Sequence, residues 1–214
     1  MMKRLLLLIG LGLFLAACTT QGPARCDPNG TLFNDDFAGE VDCGWVLYSD
    51  ESVVEIKEGA LHIRTSQPGS MWWTNPGRNF ADVIITADAQ PLTGSADNAY
   101  GLICRYQSID NFYIFLISGD GFYAIGKYQT GVEQVIYLTG DGNYQPSEAI
   151  NQNNQLNHIR ASCIGNELTL MVNDVELARV SDPTFVTGDV GLAASTFQTQ
   201  PLDVQFDNFR VIAP

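Results

Sequence analysis

From residue 52 onward the chain switches between apolar and polar side chains with a period of two, the spacing of a strand that shows one face to a core and one to solvent. Such runs occupy residues 52–59, 60–66, 81–90, 100–107, 111–118, 121–128, 133–138, 158–165, 167–172, 175–180, 189–195 and 203–212. They are rich in Val, Ile, Tyr, Phe and Thr, and turn-forming residues separate them, among them Glu58-Gly59, Gly119-Asp120-Gly121, Gly140-Asp141-Gly142, Gly165-Asn166 and Asn173-Asp174. Asn173-Asp174 predicts a tight hairpin, because Asn and Asp tolerate the positive φ it demands. In 167–172, Leu168, Leu170 and Val172 share one face while Thr169 and Met171 share the other. In 82–89, Val83, Ile85, Ala87 and Ala89 oppose Asp82, Ile84, Thr86 and Asp88. The run 111–118 is apolar on both faces, so both are covered, by core packing or as the floor of a concave groove. Only 146–151 reads as a turn of helix. About a dozen antiparallel strands predict an all-β fold, a two-sheet antiparallel jelly-roll sandwich.

The first residues follow a different pattern. Lys3 and Arg4 precede an apolar stretch from Leu5 to Leu15. That stretch is too short to span a bilayer, which takes roughly 20 apolar residues, and reads as a secretion signal. Leu15-Ala16-Ala17-Cys18 resembles the lipobox of bacterial lipoprotein signal peptides. The resemblance implies cleavage before Cys18, lipid on that cysteine, and a chain anchored to the bacterial cell envelope outside the cytoplasm. The expected organisation is a signal peptide at 1–17, a tether at 18–29 and one sandwich domain at 30–214.

Charge narrows the partners. Losing Lys3 and Arg4 from 11 basic residues leaves nine against 24 acidic ones, a formal −15. Such a surface repels nucleic acid and anionic headgroups, so no nucleic-acid partner is expected and the membrane is met through the lipid anchor only. Neutral ligands such as sugars remain compatible. Of five cysteines, four remain beside Cys18: Cys26, Cys43, Cys104 and Cys163. An even count in an exported chain predicts two disulfides. Three pairings exist. Cys26–Cys43 with Cys104–Cys163 is favoured, since the first pair flanks one turn-rich segment and the second sits in two runs that can lie side by side.

Several phrases resemble the concanavalin A-like, laminin G-like sandwich. They are Phe33-Asn34-Asp35-Asp36-Phe37 with Gly44-Trp45, Glu55-Ile56-Lys57-Glu58-Gly59-Ala60-Leu61-His62-Ile63, Tyr100-Gly101-Leu102-Ile103-Cys104-Arg105-Tyr106 with Asp110-Asn111-Phe112-Tyr113, His158-Ile159-Arg160 with Asn166-Glu167-Leu168 and Val172-Asn173-Asp174, and Phe206-Asp207-Asn208-Phe209-Arg210-Val211. By phrase the chain is most similar to the 3-keto-disaccharide hydrolase-like branch, which implies contact with a glycan. This fold hosts both binders and enzymes, so fold alone does not choose. Jelly-roll sugar modules often tie their first and last strands with calcium, and Asp35, Asp36 and Asp207 sit in those two phrases. The sequence carries no Dx[DN]x[DN]G loop, and no other metal site is expected.

Chemistry is sparse. Retaining glycanases of this fold set two Glu and one Asp on one strand face, where carboxylates about 5 Å apart share the work. Here Glu40-Val41-Asp42 begins such a motif, but Cys43-Gly44-Trp45 follows. Asp203 and Asp207 share a face and form an alternative pair. With only His62 and His158 there is no HExxH, and neither GxSxG nor GxxxxGK[ST] occurs. Binding asks for less: a flat ring to stack on a sugar and planar polar groups beside it. Trp72-Trp73 face opposite ways on a strand, so one is core and the other exposed at a rim set by residues 74–78. Arg105 is expected to project from the sheet as a second contact, with Tyr106, Tyr123 and Tyr128 nearby. The leading expectation is a non-catalytic carbohydrate-binding lipoprotein contacting its ligand through Trp73, Trp72, Arg105 and Tyr106. The alternatives are a glycoside hydrolase acting on modified disaccharides and a structural or adhesion module of the envelope.

Overall fold

The computed structural model describes residue 26 and residues 30–39, 41–197 and 201–214. The signal segment 1–17, Cys18 and Glu40 lie outside the described residues, as does most of the 18–29 tether. Among the described residues no helix is long and apolar enough to cross a membrane.

Two antiparallel sheets stack face to face. The nine-stranded sheet runs in spatial order β14 (Val175–Ser181), β13 (Glu167–Val172), β12 (Asn157–Ile164), β6 (Val83–Thr93), β16 (Leu202–Ile212), β4 (Ala60–Thr65), β3 (Ser52–Lys57) and β2 (Tyr48–Ser49). There β1 (Phe33–Asp35) also pairs with β16. The seven-stranded sheet runs β10 (Ile136–Tyr137), β9 (Phe122–Tyr128), β8 (Asn111–Ser118), β7 (Ala99–Ser108), β15 (Asp189–Ser195) and β5 (Met71–Thr74), with β11 (Gln145–Pro146) also on β9. The all-β sandwich expected from the alternation is the fold observed. Residues 146–151 hold no helix: Pro146 ends a two-residue strand and a turn follows. Proline lacks the N–H that a helix interior uses, but an edge strand does not need it.

Alternation fills the space between the sheets. Ile85, Ala87 and Ala89 of β6, Leu168, Leu170 and Val172 of β13, and Phe206 of β16 meet Leu102 of β7, Phe115 and Ile117 of β8 and Leu192 of β15, all fully buried. Glu58 and Gly59 join β3 to β4 with φ of 55° and 82°, and Asn173 and Asp174 join β13 to β14 with 49° and 67°. Paired positive φ is what a two-residue hairpin turn needs to match strand twist. Both favoured disulfides form. Cys104–Cys163 links β7 to β12, clasping one sheet to the other across the core, and Cys26–Cys43 closes the opening segment over β1. Removing a native disulfide from a domain of this kind costs about 2–5 kcal/mol.

Candidate functional site

The outer face of the seven-stranded sheet carries a second apolar cluster. Ala99 and Ile103 of β7, Phe112, Ile114 and Leu116 of β8 and Ala193 of β15 are buried there, on the side away from the main core. Met71, Trp73, Tyr106, Tyr128, Val135 and Tyr144 pack over them. Trp73 lies 5.4 Å from the ring of Phe112 and 6.3 Å from Tyr106, and Phe112 stacks on Tyr128 at 4.7 Å. The hydroxyl of Tyr128 on β9 reaches the sulfur of Met71 on β5 at 3.6 Å. In a flat sheet four inter-strand steps of about 4.8 Å would hold those strands about 19 Å apart. The contact therefore requires a sheet curled so that this face is concave. Gly126 of β9 leaves room for Val135 to pack over this face, since a Cβ there would stand 2.7 Å from a methyl of Val135.

Both faces of 111–118 are thus covered, as its apolar pattern predicts. The outer face is not an open floor, however. Phe112 and Ile114 are fully buried, roofed by the side chains of the concave wall itself. What stays open is a cleft of about 460 Å³ at the β5 edge, lined by Tyr48, Asp50, Glu51, Met71, Trp72, Trp73, Tyr106 and Ile109. Trp72 and Trp73 split as alternation requires. Trp72 packs against the main core, its ring 6.0 Å from Tyr48 and its Nε1 donating to Ser70 Oγ at 3.0 Å, whereas Trp73 joins the outer cluster. The Tyr48 hydroxyl donates to the Trp73 carbonyl at 3.0 Å and fixes the cleft wall. Burial pushes the Tyr48 phenol up to about 12, so it stays a neutral donor at any ordinary pH.

Arg105 requires a correction. It was expected to point outward, but it is 1% exposed. The β7 register shifts between Cys104 and Ser108, and Arg105 adopts φ of 52°, so simple alternation fails at this residue. The guanidinium turns inward. Nη1 donates to the Phe185 carbonyl at 2.7 Å, Nη2 to Asp82 Oδ1 at 3.2 Å and Nε to the Ala81 carbonyl at 3.4 Å. A buried charge needs such partners, and with them occupied Arg105 ties the sandwich end together rather than lining the cleft. Lys127, the other basic residue on a strand of this sheet, also points inward, donating to Asp182 at 2.7 Å and Thr184 at 2.6 Å.

Tyr106 lies in the cleft as expected. Tyr128 joins the outer cluster, whereas Tyr123 packs against the main core. Asp203 and Asp207 do share a face, the outer face of the nine-stranded sheet, and neither lines the aromatic cleft. Asp203 Oδ1 lies 3.0 Å from His62 Nδ1 as an acceptor, and Asp207 lies opposite Asp88 on β6. Of the residues offered for calcium, Asp35 accepts from Trp45 Nε1 at 3.0 Å and from the Phe37 N–H at 2.8 Å, and no group of three His, Cys, Asp or Glu side chains gathers among the described residues. Asp50 and Glu51, at the β2–β3 turn, were not singled out from sequence, since a hairpin tip betrays no neighbour across space. Their position beside two indoles became visible only once β5 was paired to β15.

No protein-family model matches the chain, and no curated protein matches it. Solved structures do. A carbohydrate-binding module, CBM66, from Bacillus subtilis aligns with a TM-score of 0.62 at 18% identity, over 79% of this chain and 96% of that one. A protein of unknown function with a galectin-like fold, also from Bacillus subtilis, aligns with a TM-score of 0.63 at 12% identity, over 86% and 96%. LamAcat from Zobellia galactanivorans aligns with a TM-score of 0.57 at 10% identity, over 86% and 98%. At these identities the likeness establishes the concanavalin A-like jelly-roll sandwich and not an activity.

Proposed function

We propose that this protein is a non-catalytic carbohydrate-binding module, exported and held at the bacterial cell envelope by lipid on Cys18. The observation that carries the binding is the aromatic cleft at the β5 edge, where Trp73 and Tyr106 offer ring surface and Asp50 and Glu51 offer acceptors. A pyranose presents C–H faces that stack on flat rings and hydroxyls that seek planar acceptors, so this combination suits a sugar. The likeness to a protein named as a carbohydrate-binding module supports the same reading. Two disulfides fit an oxidising compartment outside the cytoplasm.

A glycan array followed by titration of the best hit tests the proposal. Trp73→Ala is expected to weaken that binding by roughly tenfold or more, because a stacking ring anchors such a site. An array without hits, or full affinity in the variant, removes the cleft from consideration. Sugar-independent co-purification of a stable protein partner would replace this reading with the adhesion module. Hydrolysis of a glycoside panel, lost in Asp203→Asn or Asp207→Asn, would replace it with the enzyme.

A further inference from the structure

Beyond its rings, the cleft at the β5 edge offers aliphatic surface. Met71 and Ile109 line it together with Trp72, Trp73 and Tyr106, so five of its eight lining residues are apolar or aromatic. Ile109 sits in the turn between β7 and β8 and is 63% exposed. A single exposed aliphatic side chain is ordinary, but this one borders a pocket of rings.

The polar groups of the cleft divide into engaged and open. The Tyr48 hydroxyl is spent on the Trp73 carbonyl and Trp72 Nε1 on Ser70. The carboxylates of Asp50 and Glu51, the Trp73 Nε1 and the Tyr106 hydroxyl make no hydrogen bond among the described residues. None of these four is sealed inside the protein. The cleft therefore presents carboxylate acceptors, an N–H donor, a hydroxyl and aliphatic surface, and no Lys, Arg or His lines it.

A sugar hydroxyl uses the polar groups but leaves Ile109 and Met71 unmatched. An acetamido group uses all of them: its N–H donates to a carboxylate, its carbonyl accepts from the indole N–H or the phenol, and its methyl rests on the aliphatic surface. It is also uncharged. A carboxylate or sulfate on the sugar would meet Asp50 and Glu51 with no counter-charge beside them.

We propose that this cleft selects an acetamido group, so that the glycan it takes is built from neutral N-acetylated sugars. This rests on the carbohydrate-binding reading of the Trp73 cleft and adds the substituent that its ligand carries.

Calorimetry at physiological salt with matched oligomers tests it: N-acetylglucosamine against glucose and glucosamine chains, and N-acetylgalactosamine against galactose and galactosamine chains. In at least one set the acetylated chain is expected to bind about tenfold tighter than both of its partners. Ile109→Ser is expected to weaken binding of that acetylated chain by about fourfold, the loss of one methyl contact, with an unchanged melting temperature. Equal binding within both sets overturns the acetamido preference and leaves the carbohydrate reading standing. An amine chain that binds as tightly as its acetylated counterpart overturns it too, as does full affinity in Ile109→Ser. Failure of every chain to bind overturns the inference, and the carbohydrate reading falls with it only if the glycan array is blank as well.

Discussion

On the outer face of the nine-stranded sheet, Arg64 meets Glu55 at 2.7 Å, His158 meets Asp88 at 2.7 Å, and Arg179 is held between Glu167 and Glu176. On the outer face of the seven-stranded sheet, Trp73, Tyr106, Phe112 and Tyr128 touch ring to ring. Both faces are outside the main core, yet one settles its side chains by pairing charges in water and the other by packing them against each other. Exposed ion pairs are individually worth little. Packed rings are worth several kcal/mol and take a fixed shape. The two outer faces of one sandwich thus differ: one adds a second packed apolar layer to the core that both sheets share, and the other keeps paired charges in water.

The largest effect that would break this contrast is on Phe112. Its side chain is fully buried although it points away from the inter-sheet core, so Phe112→Ala is expected to cost about 3–5 kcal/mol, read by urea unfolding. A loss below about 1 kcal/mol would mean that the concave face is not a packed core at all.

Acid sharpens the contrast next. Burial pushes the Asp182 carboxyl up, but hydrogen bonds from Lys127, Thr184 and Tyr113 outweigh it and hold the group well below its ordinary 3.8. A carboxylate depressed on folding adds stability above its unfolded value and loses it as pH falls through the folded one. Melting temperature against pH should therefore drop below pH 3.8 in the wild type. Asp182→Asn should melt lower at neutral pH and show a shallower acid limb. Identical acid limbs would exclude Asp182 as the group responsible.

The smallest effect is expected on the opposite sheet. Arg64 and Glu55 are each more than a third exposed, so Arg64→Ala should shift stability by only about 0.5 kcal/mol. A shift comparable to that of Phe112→Ala, in the same urea assay, would erase the distinction between the two faces.

Period-two alternation made much of this legible in the sequence. It named the inward residues of β6 and β13, separated Trp72 from Trp73, and placed Asp203 and Asp207 on one face. The very short strands β1, β2 and β11 escaped it, because two or three residues hold too little of a period to be seen. Arg105 escaped for a different reason: one residue at positive φ reversed the face that counting assigned. The concave wall was half legible. Its apolar residues announced coverage on both sides, but curvature arises from contacts such as Tyr128 with Met71, 57 positions apart, and no local pattern encodes those. Asp50 and Ile109 sit in turns without periodicity, and only the fold brings them together.

The bond between Cys26 and Cys43 gives the molecule a mechanical character. Any pull arriving along the chain from before Cys26 passes through sulfur to Cys43 and skips the three-residue β1, which lies between them and rides on β16. The load then enters at Gly44 and Trp45, where the indole is wedged among Phe33, Phe37 and Phe209. A short strand that would otherwise peel away first is shielded from tension, and the domain withstands tugging at its leading end as one unit.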